Sequence, residues 1–164
     1  MSSGTRNITI TVNGRQVSAE VEPRLTLADF LRDRLDLTGV HLGCEHGVCG
    51  CCTVLLDGRS VRSCLMFAVQ ASDHEVETVE SLSADVGSLH PIQEAFWDEH
   101  ALQCGFCTPA MMLRTKELIA RDGQLSRDEI REQLSGILCR CTGYQNIVNA
   151  VIAARDKMNA PAGN

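Results

Sequence analysis

Aromatic side chains are scarce in this sequence, at four Phe, one Tyr and one Trp in 164 residues. A core with so little aromatic bulk must be aliphatic, and a chain of this size then calls for staples. Long apolar runs are missing too, so no stretch offers the ~20 residues that a membrane-spanning helix needs. There is no basic stripe, and a net charge of −6 argues against nucleic acid as a partner. The opening Met-Ser-Ser-Gly-Thr-Arg-Asn has neither an apolar segment nor paired arginines, so no export signal is read and the cytoplasm is the expected compartment. A Ser/His/Asp constellation, a G-x-G-x-x-G fingerprint and a Walker A loop are all lacking, which leaves the chain without substrate chemistry of its own. A hydrophobic content of 44% excludes disorder. Cysteine, by contrast, is abundant. Nine cysteines in a chain with no export signal read as metal ligands rather than disulfides.

Cys44, Cys49 and Cys52 follow a C-x4-C-x2-C spacing, that of the plant-type 2Fe–2S site, and Cys64 arrives later as a fourth thiolate. Each ferric ion takes two soft sulfur donors besides the bridging sulfides, which is why four are needed. Gly43, Gly47 and Gly50 suit a tight loop that wraps such a group. A second set, Cys104 and Cys107 with Cys139 and Cys141, falls at helix junctions. Either set of four would also accept a structural zinc, and for the second set C-x2-C is a common zinc half-site. A thioredoxin-like motif at Cys104–Cys107 lacks a surrounding βαβ pattern and leaves Cys139 and Cys141 unexplained. A Rieske site needs two histidines, and Cys44-Glu-His46 could begin one, but no later cysteine is followed two residues on by histidine; the five histidines (41, 46, 74, 90, 100) share no spacing and read as surface or packing residues. Cys51 is the ninth cysteine and is read as filling a small-residue position.

The surrounding pattern predicts an α+β chain. Ile8, Ile10 and Val12, then Val17, Ala19 and Val21, alternate about Asn13-Gly14, the signature of a hairpin. Leu27, Phe30, Leu31 and Leu35 recur at helical spacing, with Thr26 as N-cap, Asp29 three residues on and Gly39 as the end. Thr53–Leu56 and a strand from Ser60 flank Asp57-Gly58, which returns Cys64 to the loop. Val76 and Val79 suggest one more strand. Residues 80–89 read as a linker or a crossing segment. Four helices are expected after it. One starts at His90-Pro91. The next starts at Thr108-Pro109 and runs to Asp122-Gly123. A third, with the capping box Ser126/Glu129, carries Ile130, Leu134, Ile137 and Leu138, and the fourth carries Ile147, Val148, Val151 and Ile152. Short connections make them an antiparallel bundle. The expected domains are 1–79 and 80–164, with 159–164 a frayed tail.

Three stretches, Gly43-Cys-Glu-His-Gly-Val-Cys-Gly-Cys-Cys-Thr53, Gln103-Cys-Gly-Phe-Cys-Thr-Pro109 and Leu138-Cys-Arg-Cys-Thr-Gly-Tyr-Gln-Asn-Ile147, resemble the small iron–sulfur subunit of the molybdenum hydroxylases, the xanthine oxidase and aerobic carbon monoxide dehydrogenase family. The resemblance implies a ferredoxin-like β-grasp domain followed by a four-helix domain, each with one 2Fe–2S cluster, ligated by the eight cysteines other than Cys51. It also implies two partners, a large subunit with molybdopterin cytosine dinucleotide and a medium subunit with FAD, assembled as a dimer of heterotrimers. Electrons would run from molybdenum through the helical-domain cluster, then the plant-type cluster, to flavin. Gln103 and the backbone near Cys139 would contact the pterin. Two positions depart from the family pattern: Cys51 stands where alanine or another small residue is usual, and Ala110 where glycine is usual. A zinc-stapled interaction module and a free-standing two-cluster ferredoxin are the rival readings.

Overall fold

The computed structural model describes residues 4–83, 87–121 and 124–160. Strands β1 (Arg6–Val12) and β2 (Arg15–Val21) pair antiparallel with Val12 opposite Arg15, which leaves only Asn13-Gly14 to turn the chain. Their φ values, 49° and 75°, are the two positive angles that a tight primed turn requires. The same device recurs between β3 (Thr53–Leu56) and β4 (Arg59–Arg62), with φ of 48° at Asp57 and 75° at Gly58. Strand β5 (Glu75–Glu77) slots between the hairpins, parallel to β1 and antiparallel to β3. The result is a mixed five-stranded sheet in the order β2-β1-β5-β3-β4. Val79, expected in this last strand, instead opens a 3₁₀ turn, Val79–Ser81.

Helix α1 (Leu27–Asp29) is capped as expected, Thr26 Oγ1 accepting the Asp29 N–H at 3.0 Å. It then widens into a π turn, Phe30–Arg34, and stops well before Gly39. The Arg32 guanidinium explains the early end. It donates to the carbonyls of Thr38 and Val40 at 3.0 and 2.7 Å, so the following segment is held by a side chain rather than by helical bonds.

Four helices follow: α2 (Pro91–Asp98), α3 (Thr108–Arg121), α4 (Arg127–Leu134) and α5 (Gln145–Asn159). The reciprocal Ser126/Glu129 capping bonds are present. Helix α4 ends at Leu134, sooner than its apolar pattern suggests. Ile137 is buried beyond it, while Leu138 is half-exposed. The Leu138 N–H does not continue the helix because it donates to the carbonyl of Cys49, at 2.8 Å. The expected stop at Asp122-Gly123 and most of the tail lie outside the described residues, as do residues 84–86 of the expected linker. The rest of that linker is not a free tether. Leu82 is buried in the helical core, and Ser83 Oγ donates to Gln93 at 2.5 Å.

Two aliphatic cores result. One lies under the sheet, with Ile10, Phe30, Leu31, Val54 and Val76; the other lies among α2–α5, with Ile92, Phe96, Met111, Ile130 and Leu134. Polar bonds from edge strand β4 tie the halves together. Ser60 gives both its amide and its hydroxyl to the buried Glu117 carboxylate on α3, and Arg62 donates to the Gly136 carbonyl at 2.7 Å. No helix among the described residues is long and apolar enough to cross a membrane.

Candidate metal centres

The loop before β3 is coiled by positive φ at Glu45, Gly47 and Gly50 (54°, 84° and 74°). Coiling turns backbone N–H groups inward, and Cys49 donates its own to Cys44 Sγ at 3.3 Å. That amide, with the amide of His46, lowers the Cys44 thiol to about 6, as a bonded thiolate requires. Cys64 comes from the 3₁₀ turn Ser63–Leu65 that follows β4. The Ser63 amide and hydroxyl both donate to the Cys52 carbonyl, at 3.3 and 2.7 Å, which seats Cys64 against Cys52. Burial, then the Cys52 thiol beside it, pushes Cys64 up to about 11. Cys44 is thereby set beside Cys49, and Cys64 beside Cys52.

The second set is paired in the same manner, but across the chain. Cys104 Sγ lies 3.5 Å from Cys141 Sγ, and Cys107 faces Cys139. Gly105, at φ 81°, makes the sharp bend that places Cys104 and Cys107 in front of α3. Burial raises Cys107 to about 12. Cys139 shifts the other way. Burial alone would raise it, but the Thr142 hydroxyl, 3.1 Å from its sulfur, and the Thr142 amide outweigh that and lower it. Gln103 is exposed and donates to the Cys141 carbonyl at 3.2 Å, so it belongs to the rim of this set. Cys51 lies beside Cys49, its thiol donating to that residue's carbonyl at 3.8 Å, but its side chain is buried in the helical core, and burial pushes the thiol up to about 12. Ala110 is wholly buried within α3, so the departure there touches packing and not the exposed rim.

The two loops meet. Besides the Leu138–Cys49 bond, His41 stacks on Phe106 with ring centroids 4.8 Å apart and bonds its carbonyl through Nδ1 at 2.7 Å. Sequence reasoning missed the residues that frame this contact: Thr142, Tyr144, Arg62 and Glu117. Thr142 and Tyr144 stand inside a quoted motif, but no spacing rule marks their roles. Arg62 and Glu117 carry no local signal at all.

The donor sets fit diiron groups. Each set supplies the four thiols that two irons take, two apiece, besides the bridging sulfides. Thr108, next to Cys107, holds a buried hydroxyl without a partner among the described residues, and an electron-rich thiolate or sulfide sulfur would accept its hydrogen bond.

Two family models match the chain, one described as a 2Fe-2S iron-sulfur cluster binding domain over residues 10–83 and one as a [2Fe-2S] binding domain over residues 78–152. The gamma subunit of a caffeine dehydrogenase from Pseudomonas sp. strain CBB1 is 54% identical over 147 residues, covering 88% of this chain and 87% of its own length. The beta subunit of the 6-hydroxypseudooxynicotine dehydrogenase complex of Paenarthrobacter nicotinovorans is 55% identical over 148 residues, covering 90% of this chain and 92% of its own. Among solved structures, quinoline 2-oxidoreductase from Pseudomonas putida 86 superposes with a TM-score of 0.89 at 48% identity, over 94% of this chain and 96% of that one. The aldehyde oxidoreductase of Desulfovibrio desulfuricans gives the same TM-score at 39% identity, and there 93% of this chain matches 17% of a much longer one.

Proposed function

We infer the role of this chain from the premise that it belongs to the small iron–sulfur subunits of the molybdenum hydroxylases. It is the electron-transfer subunit of an oxidoreductase complex. It takes electrons from a large molybdopterin-bearing subunit and delivers them to FAD in a medium subunit, within a dimer of heterotrimers in the cytoplasm. The observation that carries this reading is the pairing of eight thiols into two sets whose loops touch at Cys49 and Leu138.

Cys44, Cys49, Cys52 and Cys64 hold one 2Fe–2S group in a ferredoxin-like domain, residues 1–79. Cys104, Cys107, Cys139 and Cys141 hold the other in a four-helix bundle, residues 80–164. Each such group, when bound, accepts and releases one electron at a time. The protein's share is to aim amides and hydroxyls at the thiolates, as Cys49 and Thr142 do, and to keep the two loops in contact. Gln103, exposed at the rim of the second set, and the backbone near Cys139 contact the pterin of the large subunit. Cys104 is exposed there too, so that set lies near the surface that a donor subunit covers.

Three relatives above 50% identity are named for caffeine, 6-hydroxypseudooxynicotine and nicotine, which supports a nitrogen-heterocyclic compound as the substrate of the whole complex. The test is to isolate the complex, reduce it with dithionite and record low-temperature EPR. Two distinct 2Fe–2S signals are expected, and nitrogen heterocycles should bleach the same visible bands. A zinc-loaded protein, or a single signal, overturns the reading.

A further inference from the structure

Tyr144, the residue before α5, stands at φ 68°. A bulky side chain occupies that left-handed region only where its surroundings impose it, and such outliers mark sites where geometry is held for a purpose. Its phenol oxygen accepts the N–H of Cys139 at 2.9 Å and donates to the carbonyl of Ile137 at 3.2 Å. These two backbone groups flank Leu138. With the Ile137 carbonyl and the Cys139 amide both held by Tyr144, the Leu138 N–H between them meets the Cys49 carbonyl at 2.8 Å. Thr142 Oγ1 seats the Tyr144 amide at 3.1 Å and lies 3.1 Å from Cys139 Sγ, so the strained turn is tied to the thiol as well.

We propose that Tyr144 is a positioning residue for electron passage between the two centres, its hydroxyl holding Ile137–Cys139 so that Leu138 bonds Cys49. The proposal rests on the reading that Cys49 and Cys139 are cluster ligands. Tyr144→Phe keeps the ring and deletes both bonds. In the intact complex, hydrogen exchange at the Leu138 amide should quicken by about fivefold or more, the equivalent of one net hydrogen bond. The magnetic interaction between the two reduced centres and the rate of electron passage between them should fall several-fold. Iron content and the g-values of each separate centre should hold. Thr142→Ala should move the exchange rate in the same direction by less, and serves if Tyr144→Phe proves unstable. Unchanged exchange and unchanged passage in either variant overturn the proposal. Iron missing from the parent protein overturns the reading of the sites and the electron-passage claim together, while the exchange measurement still decides the Tyr144 contact by itself.

Discussion

Gly50 and Gly58 share one backbone conformation, φ 74° and 75°, but not one environment. Replacing either with alanine forces an L residue into the left-handed region, at a cost of about 1–2 kcal/mol. At Gly58 nothing lies within 4 Å of the added methyl, so the cost ends there. At Gly50 the methyl would collide with the Gly136 carbonyl oxygen and sit 2.9 Å from Ile137 Cα. That oxygen cannot easily retreat, because the Arg62 guanidinium holds it at 2.7 Å. Overpacking against fixed backbone adds about 1–3 kcal/mol. The strain common to both variants cancels in their difference, leaving about 2 kcal/mol, which for a chain of this length is roughly 4–8 °C in melting temperature. Melting both variants with their clusters in place, at one scan rate, by far-ultraviolet circular dichroism and visible absorbance, makes the comparison. Gly50→Ala should also lose its visible bands first, since its methyl separates the two cysteine loops. Equal shifts for the two variants would refute the close packing of those loops.

Cys64→Ser should remove the EPR signal of the first centre and leave that of the second, because the two sets share no thiol; loss of both signals contradicts separate sites. Cys51→Ala should keep full iron content and both spectra, as the Cys51 thiol is buried in the helical core and donates to a backbone carbonyl, and a missing or shifted signal would make it a ligand. Glu117→Gln should weaken the junction of the halves by about 1–3 kcal/mol, since it leaves buried donors poorly matched, and denaturant melts measure it. The pH dependence has a definite sign. Burial alone would raise the Glu117 carboxyl, but the Ser60 hydroxyl and Arg114 outweigh it and hold it below its ordinary value of 4.5. A group lowered by folding stabilises the fold above the unfolded value. Its contribution is therefore complete above about pH 4.5 and fades as pH falls through the folded value. Glu117→Gln should flatten the acid limb of the stability curve, and an unaltered limb contradicts this assignment.

Features with local causes were legible before folding was considered. Asn13-Gly14 and Asp57-Gly58 sit in two-residue loops because positive φ at both positions is a property of those residues. Thr26, His90 and Ser126 cap the helix starts they mark, because each side chain accepts an amide two or three residues on. The cysteine spacings and the three motifs marked both candidate sites, because a thiol set on a tight loop leaves its period in the chain. Features with distant causes could not be read that way. The central place of β5, the match of Cys104 with Cys141 and the burial of Cys51 in the other half's core depend on contacts between segments far apart in sequence. Helix α4 looks longer than it is, since nothing in Ile137-Leu138 shows that Cys49 takes the amide which would have prolonged it. Residue spacing thus determined what each loop could hold, while tertiary structure decided how the loops face each other, because that geometry is set by Gly50, Arg62 and Tyr144 acting across the fold.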